Sequence, residues 1–177
     1  MPSDRRSAGF SVHVTNDMTK TPSDLEVQKN IHDHGCHVYS VLAAADGSSP
    51  SFSYSIGLED SAGVPDVIAL GENAQIGKSM IDAYQEFALA GLRFKPGQLY
   101  PGFLGGGFEV YLEPVTLTAV ADYMLGCVRW YGKRQWRAVQ IVYPSVQGVW
   151  PWEARAPDWL VNGQPMLGRA RLDVNGD

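Results

Sequence analysis

The segment 52–71, FSYSIGLEDSAGVPDVIALG, constrains the fold more than any other part of the chain. Its first residues alternate, with aromatic and aliphatic side chains on one side and serines on the other, which is typical of a strand with one solvent-facing side. A polar link follows, and then a second apolar run at 66–70. Two such runs joined by a short link of turn residues predict a β-hairpin.

Three helices are predicted from capping residues and helical spacing. Thr21 before Pro22 is typical of a helix start, and this first helix should end near His34, ahead of a glycine. A second helix should span 74–90, and a third, apolar almost all round, should span 117–132. The side of the second helix expected to face the core carries Ile76, Met80, Tyr84 and Phe87.

Strand patterns complete the prediction of the fold. The five predicted strands are residues 36–45, 52–58, 66–70, 108–115 and 138–143. We therefore expect an α+β fold, in which a mainly antiparallel sheet carries two or three helices on one face. Residues 21–168 should form a single domain, residues 1–20 a flexible N-terminal segment, and residues 169–177 a polar C-terminal tail.

The charge of the chain bears on its partners and location. With 14 basic and 19 acidic residues, the formal net charge is −5, which argues against binding to nucleic acid or to an anionic membrane surface. The N-terminus lacks the apolar core of a secretory signal, and the longest apolar stretch is interrupted by charges. Two cysteines cannot form a disulfide framework. These observations predict a cytoplasmic protein that binds neither nucleic acid nor membranes.

Histidines concentrate in one short segment. His32, His34 and His37 lie close to Cys36, and imidazole and thiolate are good zinc ligands. No second cluster of such residues exists to complete four ligands, and histidine also suits the negative end of a helix dipole. We therefore predict no metal and no cofactor.

Catalytic motifs are weak throughout the chain. The glycine triplet 105–107 lacks the lysine and the following helix of a phosphate-binding loop. No nucleophile elbow occurs, and the carboxylates in 59–60 and 109–113 are spaced as solvated charges rather than as an acid–base pair. The sequence therefore contains no constellation of catalytic groups.

The C-terminal part is the most distinctive. Trp150-Pro151-Trp152 places two indoles on a stiff backbone, which suits either an aromatic wall of a binding site or a cover for the core. Gln140 lies within an apolar strand, where a buried amide needs partners. We expect this block to fold back onto the hairpin, so that Tyr54, Gln140 and the tryptophan loop surround one concave surface.

Several motifs taken together resemble the bacterial family known as domain of unknown function 4262. They are His34-Gly35, Phe52-x-Tyr54-Ser55-Ile56-Gly57-Leu58, Pro65-Asp66-Val67-Ile68, the run from Gln140 to Pro144, Gly148, Pro151-Trp152 and the run from Gln164 to Leu167. The resemblance covers about residues 31–168. Cys36, Asp66 and Ser145 depart from the family pattern, and the last departure counts against catalysis. The resemblance implies a shared fold and a surface built from these motifs.

Two function classes follow. The first is a non-catalytic binding protein for a protein partner or small ligand, of which an immunity protein against a bacterial toxin is one version. Its predicted binding residues are His34, Tyr54, Gln140, Trp150, Trp152 and Gln164. The second is an enzyme that binds a small polar substrate in a pocket lined by His34, Tyr54 and Gln140. We also expect Gly35, Gly57 and the tryptophan loop to meet at one end of the sheet.

Overall fold

The computed structural model describes residues 21–71 and 73–168, which contain six strands and six helices. The helices are α1 (Pro22–His34), α2 (Leu58–Ala62), α3 (Ala74–Leu89), α4 (Leu117–Tyr123), α5 (Leu125–Tyr131) and α6 (Asp158–Gly163). The strands are β1 (His37–Val41), β2 (Phe52–Ile56), β3 (Asp66–Leu70), β4 (Leu99–Tyr100), β5 (Val110–Pro114) and β6 (Ala138–Val142). The predictions for residues 1–20 and 169–177 lie outside the described residues.

All six strands form one sheet in the order β1-β2-β3-β6-β5-β4. The predicted hairpin is confirmed, because β2 and β3 pair antiparallel. β6, however, runs parallel to β3, with Ile68 opposite Gln140. The α+β class is therefore confirmed, but the sheet is mixed, because a long crossover returns the chain beside β3 in the same direction.

Helices cover both faces of this sheet, which corrects the prediction of two or three helices on one face. α3 packs on the face that carries Val67 and Ile141. α1, α4 and α5 pack on the other face, against Tyr54 and Ile68. The physical reason is that the central parallel strands are apolar on both sides, as parallel strands usually are.

The serine side of β2 is buried rather than solvated, because α3 covers it. Ser53 Oγ donates to Ala74 O at 3.1 Å, and Ser55 Oγ donates to Asp66 Oδ1 at 2.7 Å. The alternation therefore predicts the strand correctly. The prediction that its serine side faces solvent is wrong, because the hydroxyl groups on that side form hydrogen bonds inside the protein.

Capping residues place the helix ends well. Thr21 caps α1 in a reciprocal pair with Asp24, and Gly35 ends the helix in the left-handed conformation, as predicted. The helix predicted at 117–132 is instead two helices, because Met124 leaves the helical conformation (φ −99°, ψ 50°). The link of the hairpin contains α2 instead of an open turn.

Candidate functional site

Gln140 is fully buried on β6, where its side chain binds the backbone of the C-terminal segment. Its Nε2 donates to Pro165 O at 2.9 Å, and its Oε1 accepts from Leu167 N at 2.8 Å. The amide therefore finds the partners that its burial requires, and it fastens residues 165–167 to the sheet.

Gln164 makes the matching contact from the C-terminal segment to the strand. Its Oε1 accepts from Tyr143 N at 3.1 Å, and its Nε2 donates to Tyr143 O at 3.0 Å. The side-chain amide thus bonds both the N–H and the C=O of Tyr143, as a residue of a neighbouring strand would. Together the two glutamines hold α6 and the segment after it against the end of β6.

A cavity of about 410 Å³ opens beside this attachment. It lies where the parallel strands β3 and β6 end, and ligands often bind at this edge of a sheet. We call it the carboxyl-edge cavity. Its lining residues are Gly71, Asn73, Ile76, Leu104, Gly105, Phe108, Tyr143, Pro144, Ser145, Val146, Trp159, Leu160, Gly163 and Gln164. None of these side chains carries a charge.

The walls of the cavity follow from local sequence. The Tyr143 hydroxyl lies against the backbone of Gly71. Any residue with a side chain would clash at this position, because its Cβ would lie only 1.8 Å from the Tyr143 hydroxyl oxygen. Asn73 caps α3 by accepting from Gln75 N and Ile76 N, which begins the helix at the cavity. Ile76, predicted to face the core, is instead 42% exposed and lines this cavity, which corrects that prediction.

Tyr54 lies in a different depression, the α1–α5 groove, of about 630 Å³. Its hydroxyl accepts from Gly126 N at 3.2 Å. The lining residues are Ser23, Asp24, Val27, Gln28, Tyr39, Val41, Tyr54, Ile56, Leu125, Gly126, Arg129 and Trp130. Tyr54 and Gln140 share a face but stand two strands apart, with Ile68 between them.

The tryptophan loop lies at the far side of the sheet from Tyr54. The rings of Trp150 and Trp152 stack at 4.8 Å, and Trp152 meets Tyr111 of β5 edge-on at 5.4 Å. Neither tryptophan lines the cavity or the groove. The single concave surface expected around Tyr54, Gln140 and this loop is therefore not formed.

The glycines expected beside the tryptophan loop lie at the opposite end of the sheet. Gly57 follows the end of β2, where a Cβ would come within 2.7 Å of Ile31. Gly35 O accepts from Ser61 Oγ near the same end. Tyr111, which the tryptophan loop contacts, lies near the start of β5 and thus at the other end, since β5 opposes β6 in direction.

The histidines are dispersed by the fold. His34 is exposed at the end of α1, whereas His37 is buried on β1. Asn30 Nδ2 lies 2.9 Å from His37 Nδ1, and burial lowers the pKa of the imidazole. Among the described residues, no group of three or more His, Cys, Asp or Glu is arranged to hold a metal ion.

Asp66 carries a fully buried carboxyl group, to which the sequence patterns assign no role. Its oxygens accept from Ser55 Oγ at 2.7 Å and from Tyr131 Oη at 2.5 Å. They also accept from the backbone N–H groups of Gly57 and Leu58. Burial raises its pKa to about 6, although these bonds act in the opposite direction. The signal that could have indicated this network is the acidic residue at the head of an apolar strand.

The remaining cavity residues were missed because they are distant in sequence. Leu104 and Val146 come from two connecting segments, and Trp159 comes from α6. The local sequence signal among them is a tryptophan in the first turn of a short helix. Their convergence depends on the parallel pairing of β3 and β6.

Comparisons with known proteins give one match. A family model described as "Domain of unknown function (DUF4262)" matches residues 30–157. No curated protein and no solved structure matches the chain. In the described part of the chain, no helix has the length and apolar character needed to cross a membrane.

Proposed function

The chain belongs to the family described as domain of unknown function 4262, and from this premise we propose that it is a non-catalytic binding protein. The carboxyl-edge cavity takes an uncharged, largely apolar small ligand. The observation that carries the proposal is the lining itself, in which apolar side chains reach solvent around an uncharged cavity of about 410 Å³. Small-molecule sites are commonly concave and apolar, with volumes of ~300–1,000 Å³.

The rim of the cavity supports ligand burial. Ile76, Val146 and Trp159 are all among the exposed large apolar residues of the protein. Covering such side chains is favourable by roughly 25 cal/mol for each Å² removed from water. An indole also offers a rigid apolar surface for stacking. A ligand in the cavity would therefore be stabilised by burial.

The chemistry of the lining supports the exclusion of charged ligands. An ionised group that enters an apolar cavity loses its hydration and needs an opposite charge to compensate. None of the described lining residues supplies one. The polar atoms of Gln164 are already bonded to Tyr143. The expected ligand therefore has an apolar body and at most neutral polar groups.

The same lining supports a non-catalytic role. Acid–base and nucleophilic catalysis need a titratable group or an activated nucleophile at the bound molecule. No His, Cys, Asp, Glu, Lys or Arg is among the described lining residues, and the one Tyr, Tyr143, holds its hydroxyl against the backbone of Gly71. Ser145 Oγ accepts from the backbone of Gln147 and Val149, which is a turn-stabilising contact.

The alternative enzyme has no comparable support. His34, Tyr54 and Gln140 were expected to line one pocket for a polar substrate. His34 is exposed on α1, Tyr54 lies in the α1–α5 groove, and Gln140 is buried under the C-terminal segment. The positions of these three side chains therefore support a binding protein rather than this enzyme.

The proposal is tested by titration with 1-aminoanthracene, a neutral planar fluorophore. We expect saturable binding of one molecule per chain. Ile76→Asp should weaken binding at least tenfold, because it places a charge in the wall; at the start of α3 an acidic residue also suits the helix dipole. Val128→Asp is the matched control, since Val128 is 41% exposed on a helix and lines neither cavity nor groove.

A second variant fills the cavity without changing its charge. A Cβ on Gly105 would meet no atom within 4 Å, and the backbone there has no left-handed φ, so Gly105→Leu should fold normally. It should also weaken binding at least tenfold. Absence of saturable binding, or equal binding by all variants, would refute the proposed ligand site.

The immunity version of the binding hypothesis concerns a protein partner. It predicts that a bacterial toxin, rather than a small molecule, covers Trp159. Co-purification with a toxin that shields Trp159 from acrylamide quenching, together with no fluorophore binding, would favour that version over the small ligand.

A further inference from the structure

The two edges of the sheet are built differently. β4, at one edge, has only two residues, whereas β1, at the other, has five. Proteins usually protect edge strands by shortening them or by adding charges, prolines or bulges. β1 pairs with β2 without a bulge and contains neither a proline nor a charged Lys, Arg, Asp or Glu. Among the described residues, such protection is found at the β4 edge and not at the β1 edge.

The outer side of β1 has no backbone partner in the described parts of the chain. Its ladder with β2 runs without interruption from His37 to Val41. Within residues 21–71 and 73–168, no further backbone hydrogen bond reaches these five residues. α1 instead packs beside the Tyr39 ring, whose hydroxyl lies 2.9 Å from Ser23 Oγ. Peptide groups on the outer side can therefore pair with another strand.

The chain beyond β1 extends the same surface. Residues 36–45, CHVYSVLAAA, contain no acidic residue, lysine, arginine or proline. Residues 40–43 are all exposed, and they include Val41 and Leu42. An exposed, uncharged strand of high β-propensity is a site where a further strand adds.

We propose that this edge is the interface between two copies of the chain. The two β1 strands pair antiparallel about a two-fold axis near Val41, which joins the two sheets into one. A two-fold interface needs a self-complementary surface, and an antiparallel strand pair is self-complementary in its hydrogen bonds.

Charge favours a second copy at this edge. Each chain has a formal net charge of −5, so most surfaces of two copies repel each other. The segment 36–45 brings no acidic side chain into the contact, and pairing covers the exposed Val41 and Leu42. The same pairing also supplies the backbone partners that the outer side of β1 lacks within the described part of the chain.

The test is the mass of the full chain in solution, measured by light scattering after size exclusion over a range of concentrations. We expect a concentration-dependent species of twice the 19.4 kDa chain. Val41→Lys should weaken dimerisation at least tenfold, because edge lysines oppose strand pairing. Leu99→Lys is the control, since Leu99 is an exposed apolar residue on the opposite edge.

Hydrogen exchange provides a second readout that does not depend on a variant. The outward-facing amides among residues 37–42, which do not bond to β2, should become at least tenfold better protected as the concentration rises through the dimerisation range. A monomer at every concentration would overturn the proposal. A dimer that Val41→Lys leaves intact, without added protection at 37–42, would also overturn it, because the interface would then lie elsewhere.

Discussion

At the scale of single residues, folding buries the carboxyl group of Asp66 completely and raises its pKa. It loses contact with water and gains four donors from two side chains and two backbone amides. Tyr131, one of these donors, stacks on Trp136 at 5.2 Å and is thereby held in place. The network joins β3, the end of β2 and α5, so a single carboxyl group links elements that are distant in sequence.

Asp66 should give the protein a pH dependence of unusual sign. Its folded pKa is about 6, above the ordinary 3.8. A raised carboxyl pKa means that the folded state binds the proton more tightly, so this contribution to stability is complete below pH 3.8 and is lost as pH rises through 6. The loss amounts to roughly 3 kcal/mol, from about 1.36 kcal/mol per pKa unit.

The measurement is the free energy of urea unfolding between pH 3.5 and 7 for the native chain and for Asp66→Asn. The difference between the two removes the contributions of Asp24, Asp33, Asp46 and Glu153, whose lowered pKa values give the opposite trend. We expect the stability of the native chain to fall relative to the variant as pH rises. A difference that is constant with pH would contradict the assignment.

At the scale of elements, α3 shows how far helical spacing predicts packing. Met80 and Tyr84 are buried and Phe87 packs against the same core, as predicted. Ile76 has the same spacing but lies one turn earlier, where the sheet ends and the cavity begins. Periodicity therefore identifies the correct side of the helix but not the length over which the sheet covers it.

Met80→Ala should destabilise the protein by about 2–5 kcal/mol, because it removes a fully buried side chain from the core. Ile76→Ala is the internal comparison, and its loss should be much smaller, since Ile76 is already partly in solvent. Urea unfolding of both variants measures the two losses. If both variants lost the same unfolding free energy, Ile76 and Met80 would be equally buried, and the orientation of α3 against the sheet described above would be wrong.

The glutamine attachment of the C-terminal segment permits a second prediction at this scale. Gln140→Ala leaves Pro165 O and Leu167 N without their partner, and each unpaired buried group costs about 1–3 kcal/mol. We expect the unfolding free energy to fall by at least one such amount. Gln147→Ala, at an exposed turn position, should leave the unfolding free energy unchanged. If it lowered the unfolding free energy as much as Gln140→Ala, the loss could not be explained by the unpaired backbone groups.

The elements were predictable where the cause is local, and the site was not. The N-cap at Thr21, the left-handed Gly35 and the hairpin of β2 with β3 follow from neighbouring residues. The break at Met124 and the position of β6 depend on tertiary contacts. The amides of Gln140 and Gln164 were predicted to bind a ligand, but a buried amide has the same sequence pattern whether its partner is a ligand or the backbone.

At the scale of the whole molecule, two packed layers separate both cysteines from solvent. Cys36 belongs to the core on the α3 side, and Cys127 to the core on the other side. Burial raises the pKa of Cys36 to about 12 and raises that of Cys127 further above the usual range. Each thiol thus reports on the integrity of one layer.

Neither thiol should react with 5,5′-dithiobis(2-nitrobenzoate) in the native protein at pH 8, because the thiolate is the reactive form and both sites are closed. In 6 M guanidinium chloride (about the concentration that unfolds most proteins), both should react. Rapid reaction of one thiol in native conditions would show that its layer opens locally. The absorbance of the released thiolate at each denaturant concentration provides the measurement.

The position of β6 has a consequence for how the chain is made. β6 is the last strand within residues 21–168, yet it lies between β3 and β5. Before residues 138–142 are made, the other described strands can therefore pair only as two half-sheets, each of which has an open inner edge. Open strand edges on a nascent chain are sites of mispairing. A chain that stops before Ala138 would lack its central strand, and would thus be two unjoined halves instead of a smaller version of the fold.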